Sequence, residues 1–184
     1  MSRLVENLLA LARADSGQAE ISPAAVDVDE LVRSATRDME PLAAARRARI
    51  RVLGPGSGSA LVDGDRFRQL VLILLDNALT HPPAGGTVEV SWWRRERSLV
   101  LEVADKGHGI PADEREKVFQ RFYRVDSSRS GPGTGLGLAI ARWIVVAHGG
   151  SIALLDNQPG VRVRVTLPAG PQAPAAEARL APTS

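Results

Sequence analysis

The sequence predicts an α+β domain, a two-layer α/β sandwich in which helices cover one face of a mixed, mostly antiparallel sheet. Two observations support this fold class. In several segments the apolar residues recur at spacings of three and four, which is typical of helices with one buried side. In other segments, clustered or alternating apolar residues form pairs that short polar turns separate, which is typical of hairpins. Helices and hairpins in this order bury their apolar sides best as two layers.

The composition is that of an ordinary globular protein and excludes several classes of site. The chain has 184 residues, of which 44% are hydrophobic and 24% charged, enough for about one domain with short appendages. It contains no cysteine, so thiolate metal sites and cysteine nucleophiles are excluded. A net charge of +2 gives little support for nucleic-acid binding, and no run approaches the roughly 20 apolar residues that cross a bilayer. We therefore expect a soluble segment.

Three helices are predicted in the first half of the chain. Residues 2–15 have apolar positions at helical spacing and form the first of them. Asp27 is expected to cap the second, which should kink or break at Pro41. A short strand over 50–53 follows. The third helix, over 67–80, is strongly apolar and is predicted to be buried.

The second half is predicted to contain two hairpins and two helices. The four strands are expected at 87–93, 99–104, 151–155 and 161–167. Pro111 should open a short helix, and a longer helix over 136–147 follows a glycine-rich loop over 124–135. Residues 169–184 are rich in proline and alanine without apolar periodicity, which predicts a disordered tail.

Three clusters of residues are candidates for chemistry, and each has a plainer interpretation. Asp105 follows a predicted strand and precedes glycines, so it could accept a hydrogen bond from an exocyclic amine, or it could belong to a simple turn. The glycine-rich run 131–138 enters a helix, where bare N–H groups favour anions; the alternative is a flexible linker. Asn77 lies within the apolar helix, where its amide needs a ligand, a metal-bound water or a partner in the core.

Taken in order, these clusters resemble the N, G1, F and G2 boxes of the ATP-binding domain of sensor histidine kinases. The matching segments are Asn77-Ala78, Asp105-Lys106-Gly107-His108-Gly109-Ile110, Phe119-Gln120-Arg121-Phe122-Tyr123-Arg124 and Gly133-Thr134-Gly135-Leu136-Gly137-Leu138-Ala139-Ile140. The resemblance covers about residues 25–168 and implies a catalytic domain of the Bergerat type over 18–168, followed by the tail. Residues 1–17 resemble the end of the second helix of the dimerisation and phosphoacceptor domain.

The resemblance implies that ATP and Mg2+ are the cofactors and gives individual residues their roles. Asp105 would accept a hydrogen bond from the adenine amino group, Asn77 would hold the magnesium ion, and Arg124 would supply charge to the transferred phosphoryl group. Further nucleotide contacts are expected from His81, Gly107, Gly109, Ile110, Gly133, Thr134, Gly135, Leu136 and Gly137. The aromatic residues expected to pack the lid over the nucleotide are Phe119, Phe122 and Tyr123.

The chain departs from the family pattern in and near the N box, and it lacks the family's phosphoacceptor motif. Ile73 stands four positions before Asn77, where the family usually carries a polar residue, and Thr80 and Pro82 replace frequent basic and hydroxyl residues. The phosphoacceptor motif, a histidine followed by an acidic residue and Arg-Thr-Pro, is absent. The only histidines are His81, His108 and His148. We therefore expect a fragment that donates phosphate to a histidine on another chain.

The function that the resemblance implies is transfer of the γ-phosphoryl group of Mg-ATP to a separate phosphoacceptor domain, with a response regulator as an indirect partner. Two alternatives stay open. One is a pseudokinase-like module that binds nucleotide with little transferase activity, and the other is an anti-sigma-factor-type serine kinase of the same fold. The resemblance also implies a cytoplasmic location for this segment, which should contact neither membrane nor nucleic acid. The full-length parent is expected to be anchored in the membrane.

Overall fold

The computed structural model describes residues 20–55, 58–80, 86–125 and 134–170. The predicted helix over 2–15 and most of the predicted tail lie outside these ranges, as do His81, Pro82 and Gly133. Seven strands and three α-helices form within them. None of these three helices combines the length and the apolar character that crossing a bilayer requires.

Within the described ranges, the elements that the apolar patterns predict appear in the predicted order, with one exception. The strands are β1 (Ala24–Asp27), β2 (Arg49–Leu53), β3 (Ser59–Val62), β4 (Thr87–Arg95), β5 (Ser98–Ala104), β6 (Ser151–Asp156) and β7 (Val161–Pro168). The helices are α1 (Val28–Ala45), α2 (Gly64–Ala78) and α3 (Gly137–Ala147). The exception is the helix predicted from Pro111, which is replaced by two single 3-10 turns, Ala112–Glu114 and Lys117–Phe119. The residues between these turns are charged, so no continuous apolar side holds an α-helix against the core.

The sheets confirm the predicted fold class and add one element to it. Five strands form a mixed sheet in the order β2-β4-β5-β7-β6, in which only β2 and β4 are parallel neighbours. Strands β1 and β3 form a separate antiparallel pair that the sequence patterns do not predict. Each of these two strands has only four residues, too few for an alternation of apolar and polar side chains to stand out.

One face of the five-stranded sheet forms the core together with the helices. Trp92, Leu101 and Val165 are neighbours on β4, β5 and β7, and none of them exposes more than 2% of its surface. Buried residues of all three helices belong to the same apolar cluster. The opposite face of the sheet carries polar residues, among them the buried Glu102 beside Arg164. The helices therefore cover one face, as predicted.

Helix α1 begins where the sequence predicts and passes through Pro41 without a break. Oδ1 of Asp27 accepts a hydrogen bond from the N–H of Glu30 (3.1 Å) and caps the helix. Pro41 lies inside the helix, which continues to Ala45, so the predicted break is wrong. The proline removes one main-chain N–H, and we attribute the continuity to the buried Met39 and Ala43 on either side.

Helix α2 begins at a carboxylate that two backbone amides share. Oδ1 of Asp63 accepts from the N–H of Arg66 (3.0 Å), and Oδ2 accepts from the N–H of Ser22 (3.1 Å). The N–H of Asp63 donates to Nε2 of His148 (3.1 Å), which follows α3. Burial raises the pKa of Asp63, but the two amides, together with the nearby His148 and Arg66 side chains, outweigh burial and hold this pKa below 3.8.

We expect Asp63→Ala to lower the free energy of unfolding by about 1 kcal/mol, because α2 loses its capping oxygen. Asp63→Asn should keep most of that stability at neutral pH, since asparagine also caps helices. Folding lowers the pKa of Asp63, so the advantage of the carboxylate over asparagine is present above pH 3.8 and is lost as the pH falls through the folded value. Urea denaturation over this pH range measures both effects, and equal stability of Asp63→Ala and wild type would contradict the capping role.

Candidate functional site

Asp105 lies directly after β5, half-buried and only partly satisfied by the protein. Its Oδ1 accepts hydrogen bonds from the N–H groups of Gly107 (2.8 Å) and Val161 (3.4 Å). Its Oδ2 has no hydrogen-bond partner among the described residues. Burial raises the pKa of this carboxyl above 3.8, and the two amides oppose that effect without cancelling it. Because an unpaired carboxylate oxygen is unfavourable away from water, Oδ2 is suited to accept a hydrogen bond from a ligand.

The loop after Asp105 keeps its backbone close to the hairpin of β6 and β7. Gly109 has a φ of +80°, and a Cβ at this position would lie 3.4 Å from the carbonyl oxygen of Gly160. A side chain at Gly109 is therefore disfavoured, which leaves bare backbone for the approach of a flat group. Ile110 packs against the core, whereas His108 is exposed.

Asn77 is the last but one residue of α2, and it is exposed. The prediction that its amide lies buried in the middle of the helix is therefore wrong, and the alternative of an asparagine satisfied within the core is excluded. The buried side of α2 ends at Leu74, Leu75 and Ala78, and Asn77 lies at the edge of this apolar arc. Its amide oxygen is accessible to a ligand from the solvent side.

The end of α2 lies close to the beginning of α3. A Cβ on Gly137 would lie 3.4 Å from Cγ2 of Ile73, which is half-buried one turn before Asn77. Thr80 uses its hydroxyl to donate to the carbonyl oxygen of Asp76 (2.8 Å). The N and G2 boxes are thus brought together in space, and the isoleucine that departs from the family pattern lies between them.

Among the described residues, no side chain caps the N-terminus of α3. Leu136 occupies the N-cap position with its side chain buried, and no acidic residue lies in the first turn. Helices α1 and α2, by contrast, are capped by Asp27 and Asp63 and carry acidic residues in their first turns. The first N–H groups of α3 therefore keep their capacity to bind an anion, which the helix dipole also favours.

The beginning of α3 is also linked to the aromatic F box. The N–H of Phe122 donates to the carbonyl oxygen of Gly135 (2.9 Å). Gly135 has a φ of +68°, and a Cβ there would lie 2.7 Å from the carbonyl carbon of Phe122. Only glycine allows this approach. Thr134 is exposed beside it, and Arg124 is half-buried two residues after Phe122.

Two of the three aromatic side chains that were expected to pack are packed. Phe119 is 6% exposed, and the hydroxyl of Tyr123 donates to the carboxylate of Glu114. That hydrogen bond, with burial and the nearby acidic groups, raises the pKa of Tyr123 to about 12. Phe122 is 63% exposed, so the prediction is wrong for this ring. Phe122 has a φ of 63° and donates its N–H to the carbonyl oxygen of Gly135.

A turn that the sequence patterns do not connect with the site supports Asp105. Nδ2 of Asn157 donates to the carbonyl oxygen of Asp105 (2.5 Å), a residue 52 positions earlier in the chain. Gly160, in the same turn, has a φ of +110° and would place a Cβ 2.0 Å from that carbonyl oxygen. The Pro-Gly pair at 159–160 marks a turn in the sequence, but no local signal indicates which loop the turn contacts.

The described residues fit a nucleotide with a metal ion in three respects. Asp105 offers a half-buried acceptor oxygen, Asn77 offers an exposed amide oxygen, and α3 offers an uncapped N-terminus. The ranges that the structure describes hold no cluster of three or more histidine, aspartate or glutamate residues that could bind a metal. Magnesium prefers oxygen ligands and often takes most of them from phosphates and water, so a single amide oxygen is compatible with it.

Comparison with known proteins agrees with this geometry. A family model described as "Histidine kinase-, DNA gyrase B-, and HSP90-like ATPase" matches residues 62–171. The chain is 36% identical over 164 residues to the sensor protein IrlS of Burkholderia pseudomallei, an alignment that covers 88% of this chain and 35% of that protein. It is 39% identical over 188 residues to the histidine-protein kinase/phosphatase MprB of Mycobacterium leprae, which covers 98% of this chain and 35% of that protein.

Solved structures show the same similarity. Full-length ShkA in complex with AMPPNP matches with a TM-score of 0.83 and 29% identity over 94% of this chain and 36% of that one. The mycobacterial sensor histidine kinase MprB matches with a TM-score of 0.69 and 31% identity over 82% of this chain and 99% of that one. The present chain spans about a third of the length of the curated relatives IrlS and MprB.

Proposed function

The chain belongs to the family of histidine kinase-, DNA gyrase B- and HSP90-like ATPases, and on that basis we propose that it transfers the γ-phosphoryl group of Mg-ATP to a histidine of a separate phosphoacceptor domain. The observation that carries this proposal is the half-buried Asp105, with Oδ1 fixed and Oδ2 without a donor in the described ranges. The relatives are named as sensor proteins or histidine kinases. They favour neither the pseudokinase-like module nor the anti-sigma-factor-type serine kinase.

Asp105 would select adenine through the amino group of the base. The amides of Gly107 and Val161 hold Oδ1 and thereby fix the orientation of the carboxylate, so Oδ2 always faces the same side. A base without an amino donor would leave this half-buried oxygen unpaired, which costs about 1–3 kcal/mol. The bare backbone at Gly109 would let a flat ring approach the loop closely.

The triphosphate would be held by the N-terminus of α3 together with the metal ion. The uncapped N–H groups that follow Leu136 are suited to phosphate oxygens. Asn77 would contribute its amide oxygen to magnesium, which, when bound, neutralises the charge of the phosphates. Ile73 has no atom that binds a metal or orients a water molecule, so this part of the site is less polar than is usual in the family.

Phosphoryl transfer to histidine requires little covalent chemistry from this chain. An imidazole nitrogen of the acceptor gives its lone pair to the γ-phosphorus, and the P–N bond forms as the P–O bond to ADP breaks. No base is needed to activate that nitrogen, so the polar group missing at Ile73 should matter less for transfer than for hydrolysis. Arg124 would stabilise the negative charge on the transferred group.

The acceptor is proposed to be a histidine of the separate phosphoacceptor domain and not His108 or His148. His148 uses both ring nitrogens, Nδ1 with the carbonyl oxygen of Ile144 (2.8 Å) and Nε2 with the N–H of Asp63 (3.1 Å). It also follows the C-terminal end of α3, whereas the phosphates are proposed to bind at the N-terminal end. His108 is exposed within the loop that is proposed to bind adenine.

A response regulator is the proposed later partner. The histidine kinase ThkA in complex with the response regulator TrrA shares the fold of this chain, with a TM-score of 0.74 at 20% identity. The phosphoryl group on the acceptor histidine would pass to such a protein. We place this chain on the cytoplasmic side of a sensor whose remaining segments anchor it in the membrane.

We expect the chain to label a supplied dimerisation and phosphoacceptor domain from ATP with a radioactive γ-phosphate. Labelling should require both magnesium and the acceptor histidine. Ile73→Asn should raise the initial rate about tenfold, because a polar group beside a metal ligand supports its geometry. Ile73→Ala is the matched control, since it shortens the side chain without adding a polar group. Binding of ATP without labelling, in wild type and Ile73→Asn alike, would contradict the transferase proposal and leave a nucleotide-binding module.

A further inference from the structure

We propose that Asn157, in the turn between β6 and β7, is a positioning residue that holds Asp105 in place for recognition of the nucleobase. The proposal rests on the proposed function, in which Asp105 accepts a hydrogen bond from adenine. Asn157 is not expected to contact the nucleotide. It acts on the main chain of Asp105 from outside the site.

The contact between the two residues is direct. Nδ2 of Asn157 donates to the carbonyl oxygen of Asp105 at 2.5 Å. The main chain of Asp105 also pairs with β7, because its N–H donates to the carbonyl oxygen of Val161 (2.9 Å). The N–H of Val161 in turn reaches Oδ1 of Asp105 at 3.4 Å. The carboxylate, the amide and the carbonyl of Asp105 are therefore all fixed by one turn and the first residue after it.

The orientation of the Asn157 amide is set by its two partners. Oδ1 of Asn157 accepts from Nη2 of Arg162 (3.1 Å), while Nδ2 faces the carbonyl oxygen of Asp105. A guanidinium can only donate and a carbonyl can only accept, so this arrangement of the amide is the one that satisfies both. Asn157 thus connects a fixed cation to the loop that carries Asp105.

Arg162 is itself anchored on the open face of the sheet. Its Nη1 lies 3.4 Å from Oε2 of Glu102, whose side chain is only 7% exposed. Arg164 binds the other oxygen of the same carboxylate through Nε at 2.5 Å. Two arginines of β7 thus hold one buried carboxylate of the neighbouring strand β5, and this makes a rigid support. Arg162 therefore presents Asn157 with a donor of fixed position.

The backbone of the turn contacts the same atom. A Cβ on Gly160 would lie 2.0 Å from the carbonyl oxygen of Asp105 and 2.8 Å from Cα of Lys106. The turn therefore presses against the main chain of Asp105 through bare backbone, while Asn157 holds the carbonyl by a hydrogen bond. Both contacts fix the main chain of Asp105, from which the carboxylate extends toward the amides of Gly107 and Val161.

Asn157→Asp tests the proposal with little change in shape. The variant keeps the oxygen that accepts from Arg162 but replaces the donor to Asp105 with a second acceptor, so the two oxygens repel each other. Wild type should bind ATP more tightly than inosine triphosphate, which has an oxygen in place of the amino group. We expect Asn157→Asp to reduce this preference about tenfold, as for a weakened hydrogen bond to a charged group. Asn157→Ala, which adds no charge, should change it in the same direction.

The ratio of the two affinities separates positioning from general effects. Added negative charge or lower stability would weaken the binding of both nucleotides alike and leave the ratio of their affinities unchanged. Gln158→Glu is the matched control, since it makes the same amide-to-acid change at the exposed neighbour and should keep the wild-type ratio. In an Asp105→Ala background, which leaves neither donor nor acceptor in that side chain, Asn157→Asp should have no further effect on the ratio, because the residue acts through Asp105.

The outcomes distinguish this inference from the proposed function. If wild type binds both nucleotides equally or neither of them, Asp105 is not the adenine acceptor and both proposals fail. If wild type prefers ATP and Asp105→Asn loses the preference, the proposed function holds. A wild-type ratio in both Asn157→Asp and Asn157→Ala would then overturn the positioning role alone. A full effect of Asn157→Asp in the Asp105→Ala background would also overturn it.

Discussion

Asp105→Asn should weaken ATP binding about 100-fold while the chain stays folded. Oδ1 accepts from the amides of Gly107 and Val161, so an asparagine must keep its oxygen there and point its NH2 group where Oδ2 lies in the wild type. The NH2 group of the asparagine and the amino group of adenine, which are both donors, would then face each other. The lost hydrogen bond to a charged acceptor and the unpaired donor together amount to about 3 kcal/mol. Isothermal titration calorimetry with ATP and magnesium measures the loss.

The matched control for this variant is Asp113→Asn. It makes the same change at an exposed position in the 3-10 turn that follows the loop, outside the proposed site. Its affinity for ATP should equal that of the wild type. An unchanged affinity in Asp105→Asn would remove the basis of the nucleotide-binding proposal.

Without nucleotide, Asp105→Asn should slightly raise the free energy of unfolding, although it lowers the affinity for ATP. Burial raises the pKa of Asp105 above 3.8, so the ionised carboxylate is less favourable in the folded chain than in the unfolded one. Asparagine removes that penalty and keeps an oxygen for the two amides. The variant should therefore be slightly more stable than wild type at neutral pH, and the difference should vanish as the pH falls below 3.8, where both states hold the proton. Greater stability with weaker binding would show that the loss of affinity is not a loss of fold.

The parts of the fold that could be predicted are those with a local pattern. Helix α2 and the hairpin of β4 and β5 follow from the spacing of their apolar residues, and the structure confirms both. The pair of β1 and β3 could not be predicted, because each strand is short and finds its partner across α1 and β2. The break expected at Pro41 failed for a related reason, since tertiary packing holds the helix together where local preference opposes it.

The site could be predicted as a set of residues but not as an arrangement. The glycines that follow Asp105 indicate that it is a candidate ligand-binding residue. The exposure of Asn77 depends on where α2 ends and on what packs against that end, which its apolar spacing does not show. Asn157 carries no signal at all, because its partner lies 52 residues away and the contact is made to a carbonyl group that every residue has.

Asn77→Ala should lower ATP affinity about tenfold in the presence of magnesium and leave it unchanged when the metal is removed with EDTA. The alanine removes the amide oxygen proposed to bind the metal, and losses of this order accompany the removal of groups that support a metal site. Because Asn77 is exposed, the free energy of unfolding should change by less than about 0.5 kcal/mol. Asn77→Asp is the matched control, since it keeps an oxygen at the same place and should retain the effect of magnesium.

Together, Asp105→Asn and Asn77→Ala test recognition of the base and binding of the metal ion separately. Asp105→Asn should lower the affinity for ATP both with and without magnesium, because the base is bound independently of the metal. Asn77→Ala should lower the affinity for ATP only when magnesium is present. A loss in Asn77→Ala that persists in EDTA would mean that the amide contacts the nucleotide itself, and the metal would then need another ligand. No loss under either condition would place magnesium away from α2, since the only metal-binding role proposed for this helix is that of Asn77.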